Sequence, residues 1–444
     1  MRSAILAAAL LLAAATTAHA ADLTVGPGKA FSRIEDAMAA AQPGDVILVH
    51  PLPDGKAYER AAIYVTKPRL TFRGMAPKGE RVKIDGKGFA YSGSGSTPRA
   101  IFQFNKGADG GVLEGFELTG AHNASHNGAG VRINQASDVT VRGCRVHGND
   151  MGIMSNGDGT TATAANQLFE GCLIEANGCL EDPGYNHNLY LGGTSVTLRA
   201  CEVRGSLTGH NVKSRARQTT VLWSYIHDSA NREFDLVDAK GDTTAPGSNA
   251  ILFGNVIAKD RACRGNRGVI HFGQDGKSEH DGTIWIVNNT IVTPFASPVV
   301  SLSAPKARAV LTNNIIWDGG TPQSNQRLIE AKAGAKDVSR GSCNWLAAGF
   351  AADAAALAWP KTFIAPPRQS PPFADAAKGD FRLAKSDPAI VDAGDPLDEA
   401  ILPLLGGKPR QYLAPLGTEE RPAAGKPDLG AYEFADGAPA LSAP

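Results

Sequence analysis

Two stretches of the sequence, "NHNLYLGG" and "GHNVKSRARQ", contain the residue types that proton-transfer chemistry needs. Both place a His-Asn pair before a strand-like run, and only the second adds three cations, Lys213, Arg215 and Arg217. Removing a proton next to a carboxylate, as in β-elimination from a uronate, requires a cation that neutralises the carboxylate and a base within about 3 Å of the proton. The two stretches offer both kinds of group.

Lys213 is the first candidate base. Arg215 and Arg217 on the same run place positive charge near its amine, and like charge favours the neutral form that accepts a proton. His210 and Tyr190 are alternative groups for taking or returning that proton. Arg215 is suited to a carboxylate, because guanidinium groups pair with carboxylates. The catalytic candidates are Lys213, His210, Tyr190 and Arg215.

A repeat predicts the elements that carry these residues. Segments such as "VRGCRVHGN", "FEGCLIEANG" and "VNNTIVTP" resemble one another, and their matched positions lie 23 to 34 residues apart. Periods of roughly 20 to 50 residues are typical of solenoids. Each unit consists of short alternating strands broken by Gly, Asn and Asp, without a helical period, which predicts an all-β parallel β-helix. The matched positions are Phe116, Cys144, Cys172, Cys201, Ser224, Asn255, Asn289 and Asn314.

Equivalent positions of successive coils should stack about 4.8 Å apart. Cys144, Cys172 and Cys201 are then rungs of one inward ladder that continues through Ser224 into asparagines. We interpret these thiols as small buried groups that fill a tight corner, in preference to a disulfide or metal role. Whether the loop cysteines Cys179, Cys263 and Cys343 form disulfides stays open.

The strand after each matched corner supplies an outward column, because side chains alternate along a strand. We expect His187 and His210 to stack at the corner before this column. We also expect the Lys213 side chain to be exposed, so that Lys213→Ala lowers the free energy of unfolding only slightly. Such a face suits an extended acidic polysaccharide, since cations pair with carboxylates and aromatic rings cover sugars. The column is Arg132, Met154, Tyr190, Lys213, Asp235 and His271. The substrate-binding candidates are His187, Asn188, Asn211, Arg132, Arg217, Asp235 and His271.

Other interpretations of the same residues remain. Lys213 and Asp235 could form only a cross-strand ion pair, and the His-Asn pairs could only satisfy turn backbone groups. A glycoside hydrolase would use carboxylates such as Glu233, Asp235 or Asp238 instead of the lysine. A non-catalytic glycan-binding envelope protein would use the cationic face for docking alone.

No cofactor or metal is expected. His122, His126 and His147 lie in Gly- and Asn-rich loops without the spacing of metal ligands. Calcium is not indicated either, because "SLTGH" just before Lys213 contains none of the carboxylates that calcium prefers.

The ends and the composition predict an exported monomer. Residues 1–20, "MRSAILAAALLLAAATTAHA", have the basic start, apolar run and small-residue end of a signal peptide, so we expect a periplasmic or extracellular location. No later stretch is apolar enough for an integral membrane segment. The 44 basic and 44 acidic residues balance, which gives no reason to expect a nucleic acid partner.

The predicted organisation has three parts after the signal peptide. Residues 21–75 form an N-terminal cap and first coils, 76–345 the parallel β-helix, and 346–444 a Pro- and Ala-rich C-terminal extension. In the cap, Ser32 and Glu35 have capping-box spacing before a short amphipathic helix. That helix would close the open end of the solenoid.

The stretches "GKAFSRIEDAMAAAQPGDVILV", "DFRLAKSDPAIVDAG" and "DLGAYEF" resemble the exported bacterial proteins of the pectate lyase-like superfamily, over nearly the whole mature chain. The resemblance implies a single-stranded right-handed parallel β-helix with an N-terminal helical cap. It does not fix the reaction, because this superfamily contains lyases, hydrolases, epimerases, esterases and glycan binders.

A second resemblance concerns the lysine itself. "HNVKSRARQTTVLWSYIHDS" is similar to the lysine-bearing coil of the polysaccharide lyase family that includes chondroitinase B and several alginate lyases. It implies that Lys213 is the base. This sequence departs from the family pattern by placing Asp235 where the family has an arginine acid, and "SLTGH" where it has calcium-binding acidic residues.

Overall fold

Each coil of the right-handed solenoid contains three short strands. Every strand pairs in parallel with the equivalent strand of the coil before it. The computed structural model describes residues 20–94, 98–183, 186–238, 247–275, 280–331, 338–423 and 425–435. Within these ranges the strands form three long parallel sheets, named A, B and C in the order in which each coil visits them. The predicted parallel β-helix is therefore confirmed.

The sheets run the length of the solenoid. Sheet A consists of the strands Asp22–Val25, Val46–Val49, Thr71–Gly74, Val112–Glu114, Thr140–Arg142, Gln167–Glu170, Ser195–Arg199, Gln218–Leu222, Ala250–Phe253, Thr283–Val287, Arg308–Thr312 and Ser339–Ser342. Sheet B consists of Tyr58–Glu59, Val82–Asp85, Phe116–Thr119, Arg145–His147, Leu173–Glu175, Glu202–Arg204, Tyr225–His227, Val256–Ala258, Thr290–Val292, Ile315–Trp317, Trp345–Leu346 and Phe363–Ile364. Sheet C consists of Ile63–Val65, Ala100–Asn105, Ala129–Asn134, Met151–Asn156, Leu189–Leu191, Val212–Ser214, Phe234–Val237, Ile270–Gly273, Val300–Leu302 and Ile329–Ala331.

The predicted inward ladder is confirmed. Pairing of Arg145 with Leu173 and of Leu173 with Glu202 in sheet B brings the preceding residues, Cys144, Cys172 and Cys201, into register. All three side chains are completely buried, and each sulfur contacts a main-chain carbonyl oxygen. None of the six cysteines, all of which lie in the described ranges, is disulfide-bonded. The thiols fill the corner as small apolar groups.

The same ladder becomes a chain of amide hydrogen bonds. Asn255 donates to Asn289 (3.0 Å), Asn289 to Asn314 (3.3 Å) and Asn314 to Asn344 (2.9 Å), all between side chains. Each amide also bonds main-chain groups of the corner, as when Asn289 donates to the carbonyl oxygen of Leu252 (2.8 Å). A buried polar side chain is tolerated here because every rung satisfies the next.

A second interior ladder runs along the turn between sheets B and C. Its amides donate in sequence from Asn149 to Asn177, from Asn177 to Asn188 and from Asn188 to Asn211, over 2.8 to 3.1 Å. Asn211 then donates to the carboxylate of Glu233 (2.6 Å). The asparagines of the two His-Asn pairs therefore hold the corner together from inside.

The N-terminal helix exists, but its predicted cap is wrong. The helix Ile34–Ala40 begins after Arg33, and no side chain caps it. Glu35 instead accepts the main-chain N–H of Ala62 (3.1 Å), which ties the helix to the first coils. Ile34 and Ala37 are buried against the core, so the helix closes this end as expected.

The first coils lie within residues 21–75, where they were expected, and stacked strands continue past residue 345. Stacked strands begin at Asp22 and end with Phe363–Ile364. The C-terminal part adds the helix Ala354–Ala358 and two antiparallel hairpins. The hairpin strands are Phe373–Asp375, Asp380–Leu383, Arg410–Leu413 and Gly417–Glu420, and the 3₁₀ turns are Pro53–Gly55, Ala348–Phe350, Ala376–Lys378 and Leu402–Leu405.

The predicted signal peptide, apart from Ala20, lies outside the described residues. In the ranges that the structure describes, no helix has both the length and the apolar character needed to cross a bilayer.

The two halves of the inward ladder should differ in their contribution to stability. Asn289→Ala leaves the N–H of Asn255 and the carbonyl of Leu252 without these partners, so we expect a loss of about 3 kcal/mol or more in the free energy of unfolding. Cys172→Ala, the matched change in the thiol half, should cost about 1–2 kcal/mol. Urea unfolding of both variants measures the difference. Equal losses would contradict a hydrogen-bonding role for the asparagine rungs.

Candidate functional site

The outward column of sheet C is present in the predicted register. Arg132 pairs with Met154, Met154 with Tyr190, and Tyr190 with Lys213. Lys213 pairs in turn with Asp235, and Asp235 with His271. These six residues occupy equivalent positions of six successive coils, because a parallel sheet without a register shift repeats each position.

The centre of the column is the carboxylate of Asp235, which is 2% exposed. Its oxygens contact Lys213 Nζ (2.7 Å), His271 Nδ1 (2.8 Å) and Arg232 Nη1 (3.3 Å), and His210 Nε2 lies 3.5 Å away. Burial alone would raise the pKa of Asp235, but the contact with His271 and the surrounding positive charges hold this pKa well below its usual range. Asp235 is therefore a fixed anion that organises the groups around it.

Lys213 binds two carboxylates. Its Nζ atom donates to Asp235 Oδ2 (2.7 Å) and to Asp275 Oδ2 (2.8 Å). The residue is only 8% exposed. The expectation of an exposed lysine is wrong, because strand residue Asp235 and loop residue Asp275 both contact its ammonium group. The predicted cross-strand pair with Asp235 is present.

Arg215 completes a cationic pair with Lys213. Its guanidinium contacts the same Asp275 carboxylate, donates from Nε to the hydroxyl of Tyr190 (3.1 Å), and also bonds the main-chain oxygen of Asp238. The guanidinium carbon lies 5.9 Å from the centre of the Tyr190 ring. The Asp275 side chain is 40% exposed. Lys213 and Arg215 thus share one carboxylate at the solvent boundary, beside an aromatic ring.

His187 and His210 form the predicted stack at the corner before the column. Their rings are 5.1 Å apart and nearly parallel, with an angle of 13°. The main-chain N–H of His210 donates to His187 Nδ1 (3.0 Å), so the neutral His187 ring carries its proton on Nε2. Burial lowers the pKa of His210 to about 4 and holds that of His187 well below its ordinary value. Both imidazoles are therefore neutral near pH 7.

His210 also has an unusual polar environment. Its Nδ1 atom is buried and has no hydrogen-bond partner. The opposite nitrogen, Nε2, faces Asp235 at 3.5 Å, which is long for a hydrogen bond. The neutral ring can accept a proton, but its lowered pKa makes His210 a weak base near pH 7.

The remaining substrate-binding candidates separate into two groups. Asn188 and Asn211 belong to the interior ladder and are completely buried, so their side chains do not reach the column surface, contrary to expectation.

Arg132 lies on the surface two coils from Tyr190 and donates to Asn156 (3.0 Å). Arg217 is half-buried beyond the end of the strand that carries Lys213. His271 is fixed between Asp235 and Ser303 Oγ (2.7 Å).

The carboxylates of the hydrolase interpretation are poorly placed. Glu233 is completely buried, bonds Asn211 and the N–H of Ser229, and lies 3.5 Å from the equally buried ammonium of Lys259. Burial raises the pKa of Glu233 to about 7. Asp238 is also buried and accepts the N–H of Asp275. Neither carboxylate is available to a polysaccharide on the outer face.

Sequence reasoning missed Asp275 and Arg232. Arg232 precedes the strand Phe234–Val237, and Asp275 follows the strand Ile270–Gly273. Both lie in turns, where the repeat pattern says nothing about side-chain direction. Their proximity to sheet C in sequence is the one signal that could have marked them as candidates.

No family model matches the sequence, and no curated protein matches it. Among solved structures, pectate lyase Pel9A matches with a TM-score of 0.57 and 15% identity, over 94% of this chain and 96% of the lyase. A rice weevil pectin methyl esterase matches with a TM-score of 0.37 and 11% identity, over 62% of this chain and 78% of the esterase. Pectin methylesterase PemA from Erwinia chrysanthemi matches with a TM-score of 0.32 and 11% identity, over 74% and 93%. The likeness to Pel9A confirms the right-handed parallel β-helix fold.

The buried histidine pair should make the protein less stable in mild acid. The folded-state pKa of His210 lies below the ordinary value of 6.5, so protonation favours the unfolded chain as pH falls from about 6.5 to 4. His210 alone should then remove up to about 3 kcal/mol from the free energy of unfolding. His210→Gln should flatten this part of the stability–pH curve, measured by urea unfolding. His122→Gln is the control, since this exposed histidine has a raised pKa from Asp150. An equally steep curve for His210→Gln would contradict the assignment.

Proposed function

We propose that this protein is a lyase that cleaves a uronate-containing polysaccharide by β-elimination, with pectate as the first substrate to test. The observation that carries the proposal is the single carboxylate of Asp275, shared by Lys213 and Arg215 on the outer face of sheet C. A uronate presents the same chemical group. The fold shared with a pectate lyase supports the substrate class.

The position of the Asp275 carboxylate indicates where a uronate of the substrate would bind on sheet C. A uronate carboxylate would replace Asp275 on Arg215, which is the more exposed of the two cations. The ring of Tyr190, already in contact with Arg215, would cover one face of the sugar. Neutralising the carboxylate makes the neighbouring C–H more acidic, because the charge of the developing carbanion is spread onto its oxygens.

Lys213 is the proposed base. Once Asp275 has been displaced, the amine of Lys213 lies beside the substrate carboxylate and hence near the adjacent carbon. It would take the proton from that carbon while the bond from the next carbon to the glycosidic oxygen breaks, leaving a carbon–carbon double bond on the new non-reducing end. The departing oxygen takes up a proton, for which the hydroxyl of Tyr190 is available. No step of this proposal uses a metal ion or cofactor.

The substrate-binding assignments follow the same geometry. Arg132 and Arg217 extend the positive surface along and beyond the column, and His187 borders Tyr190 with a ring distance of 5.5 Å. Asp235 and His271 position Lys213 and do not contact the glycan. We also propose that the protein acts as a monomer outside the cytoplasm, in the periplasm or medium, where such polymers occur. The signal-peptide pattern of residues 1–20 supports this location.

The experiment that tests the function is a screen of acidic polysaccharides, starting with pectate and including alginate and chondroitin sulfate. A lyase creates a double bond that absorbs ultraviolet light, whereas a hydrolase creates reducing ends without that absorbance. Binding without either product would support the glycan-binding alternative and contradict the proposal.

Replacement of Lys213 should separate catalysis from simple pairing with Asp235. Lys213→Ala should lower turnover roughly a hundredfold or more, the usual effect of a positioned acid or base. Lys213→Arg should restore little, because a guanidinium keeps its proton. Lys83→Ala, an exposed lysine on a sheet B strand, is the matched control and should be neutral. Near-normal turnover by Lys213→Ala, with an altered melting temperature alone, would contradict the lysine-base assignment.

The pH dependence distinguishes the two leading bases. A lysine base predicts that kcat/KM continues to rise from pH 6 towards alkaline pH, since only the neutral amine accepts a proton. His210, whose pKa burial lowers to about 4, would already be neutral at pH 6 and would give a flat profile above it. Measuring kcat/KM from pH 6 to pH 10 decides between them, and a plateau from pH 6 would transfer the role to His210.

A further inference from the structure

Three potential metal ligands meet outside the candidate site, on the turns that lead from sheet B to sheet C. These are Nδ1 of His126, Sγ of Cys179 and the carboxylate of Glu181, and their ligand atoms all lie within 4.8 Å of one another. The sulfur and the imidazole nitrogen are 3.1 Å apart. His126 and Cys179 are half-buried and Glu181 is exposed.

The coil geometry explains why residues so distant in sequence meet. The turn of the intervening coil, residues 148–150, is short, whereas the turn at 120–128 and the connection from Glu175 to Leu189 are longer in sequence. The two longer turns therefore approach each other across the short one. The side chain of Asn186 donates to the main-chain oxygen of His126, which joins the two turns directly.

The loop that carries His126 is held in place by hydrogen bonds to Asp150 of the next coil. The buried carboxylate of Asp150 accepts the N–H groups of Asn123 (2.9 Å) and Gly128 (3.0 Å) and contacts the ring of His122 (2.7 Å). The backbone of His126 is thus held in place by these contacts and by the hydrogen bond from Asn186. Ligands held by a rigid surrounding structure are the usual basis of a metal site.

Cys179 differs from the other cysteines. Cys144, Cys172, Cys201 and Cys263 direct their sulfur atoms at main-chain carbonyl oxygens in the interior. Cys179 instead directs its sulfur at an imidazole nitrogen, beside a solvent-open cleft of about 550 Å³ lined by both turns. An ion from solution has direct access to this sulfur.

We propose that His126, Cys179 and Glu181 bind one zinc ion, with water in the fourth position. One thiolate, one imidazole and one carboxylate form a donor set typical of zinc, which takes tetrahedral sulfur, nitrogen and oxygen ligands. Zinc bonds of about 2.3 Å to sulfur and about 2.0–2.1 Å to nitrogen place these two ligands about 3.5 Å apart in a tetrahedron. The sulfur and nitrogen need to separate by only a few tenths of an ångström. The bound ion would join the turns of two coils, and it is independent of the proposed lyase reaction.

The test is metal binding to the purified full chain after reduction and treatment with a chelator. Titration with zinc against a chromophoric chelator should give one ion per chain. Cobalt in place of zinc should give a thiolate-to-metal charge-transfer band in the near ultraviolet. Cys179→Ser should abolish that band and weaken zinc binding by roughly a hundredfold or more, since a first ligand is lost. Glu181→Gln should weaken it by about tenfold or more.

Asp182→Asn is the matched control, because it removes the same charge from the same turn at a residue outside the cluster. It should change zinc affinity by less than about twofold, the effect expected of a single screened surface charge. Circular dichroism and melting temperature of each metal-free variant check that the fold is intact. Absence of stoichiometric zinc, absence of the cobalt–thiolate band, or equal effects of Glu181→Gln and Asp182→Asn would overturn the proposal.

Discussion

Parallel hydrogen bonding between successive coils is the constraint on which every other feature of this protein depends. Each strand pairs with the equivalent strand of the next coil. Every residue therefore has, about 4.8 Å away, the residue at the equivalent position of that coil. Inside the solenoid, a polar corner residue is tolerated only if its neighbours in the ladder satisfy it, and both asparagine ladders meet that condition. Outside, the same stacking brings Tyr190, Lys213 and Asp235 side by side from three successive coils.

The candidate site uses this stacking to concentrate charge in one place, in a protein whose formal net charge is zero. One buried anion, Asp235, holds Lys213, His271 and Arg232 around it, so these side chains are fixed before any ligand arrives. Groups fixed in advance need little reorganisation when charge develops in a reaction, which is the main source of electrostatic catalysis. The histidine stack beside them is neutral, so it adds no charge to the site.

The sequence predicted the parts of the structure that the repeat controls. The inward ladder at Cys144, Cys172 and Cys201 and the outward column follow from a repeat period and strand alternation alone, and both are present. The turns could not be predicted in this way, because their lengths vary and their side chains follow no period. Asp275 binding to Lys213, and His126 meeting Cys179, are both turn contacts.

The length of the repeat also bears on how such a chain can change during evolution. Each coil pairs with its neighbours in the same way, so gaining or losing one among the rungs Asn289, Asn314 and Asn344 would leave the new neighbours in register. Between residues 186 and 275 the same event would separate Tyr190 from Lys213, or Lys213 from Asp235, by a full coil spacing. Whole coils can therefore be gained or lost without disturbing the column only towards the ends of the solenoid.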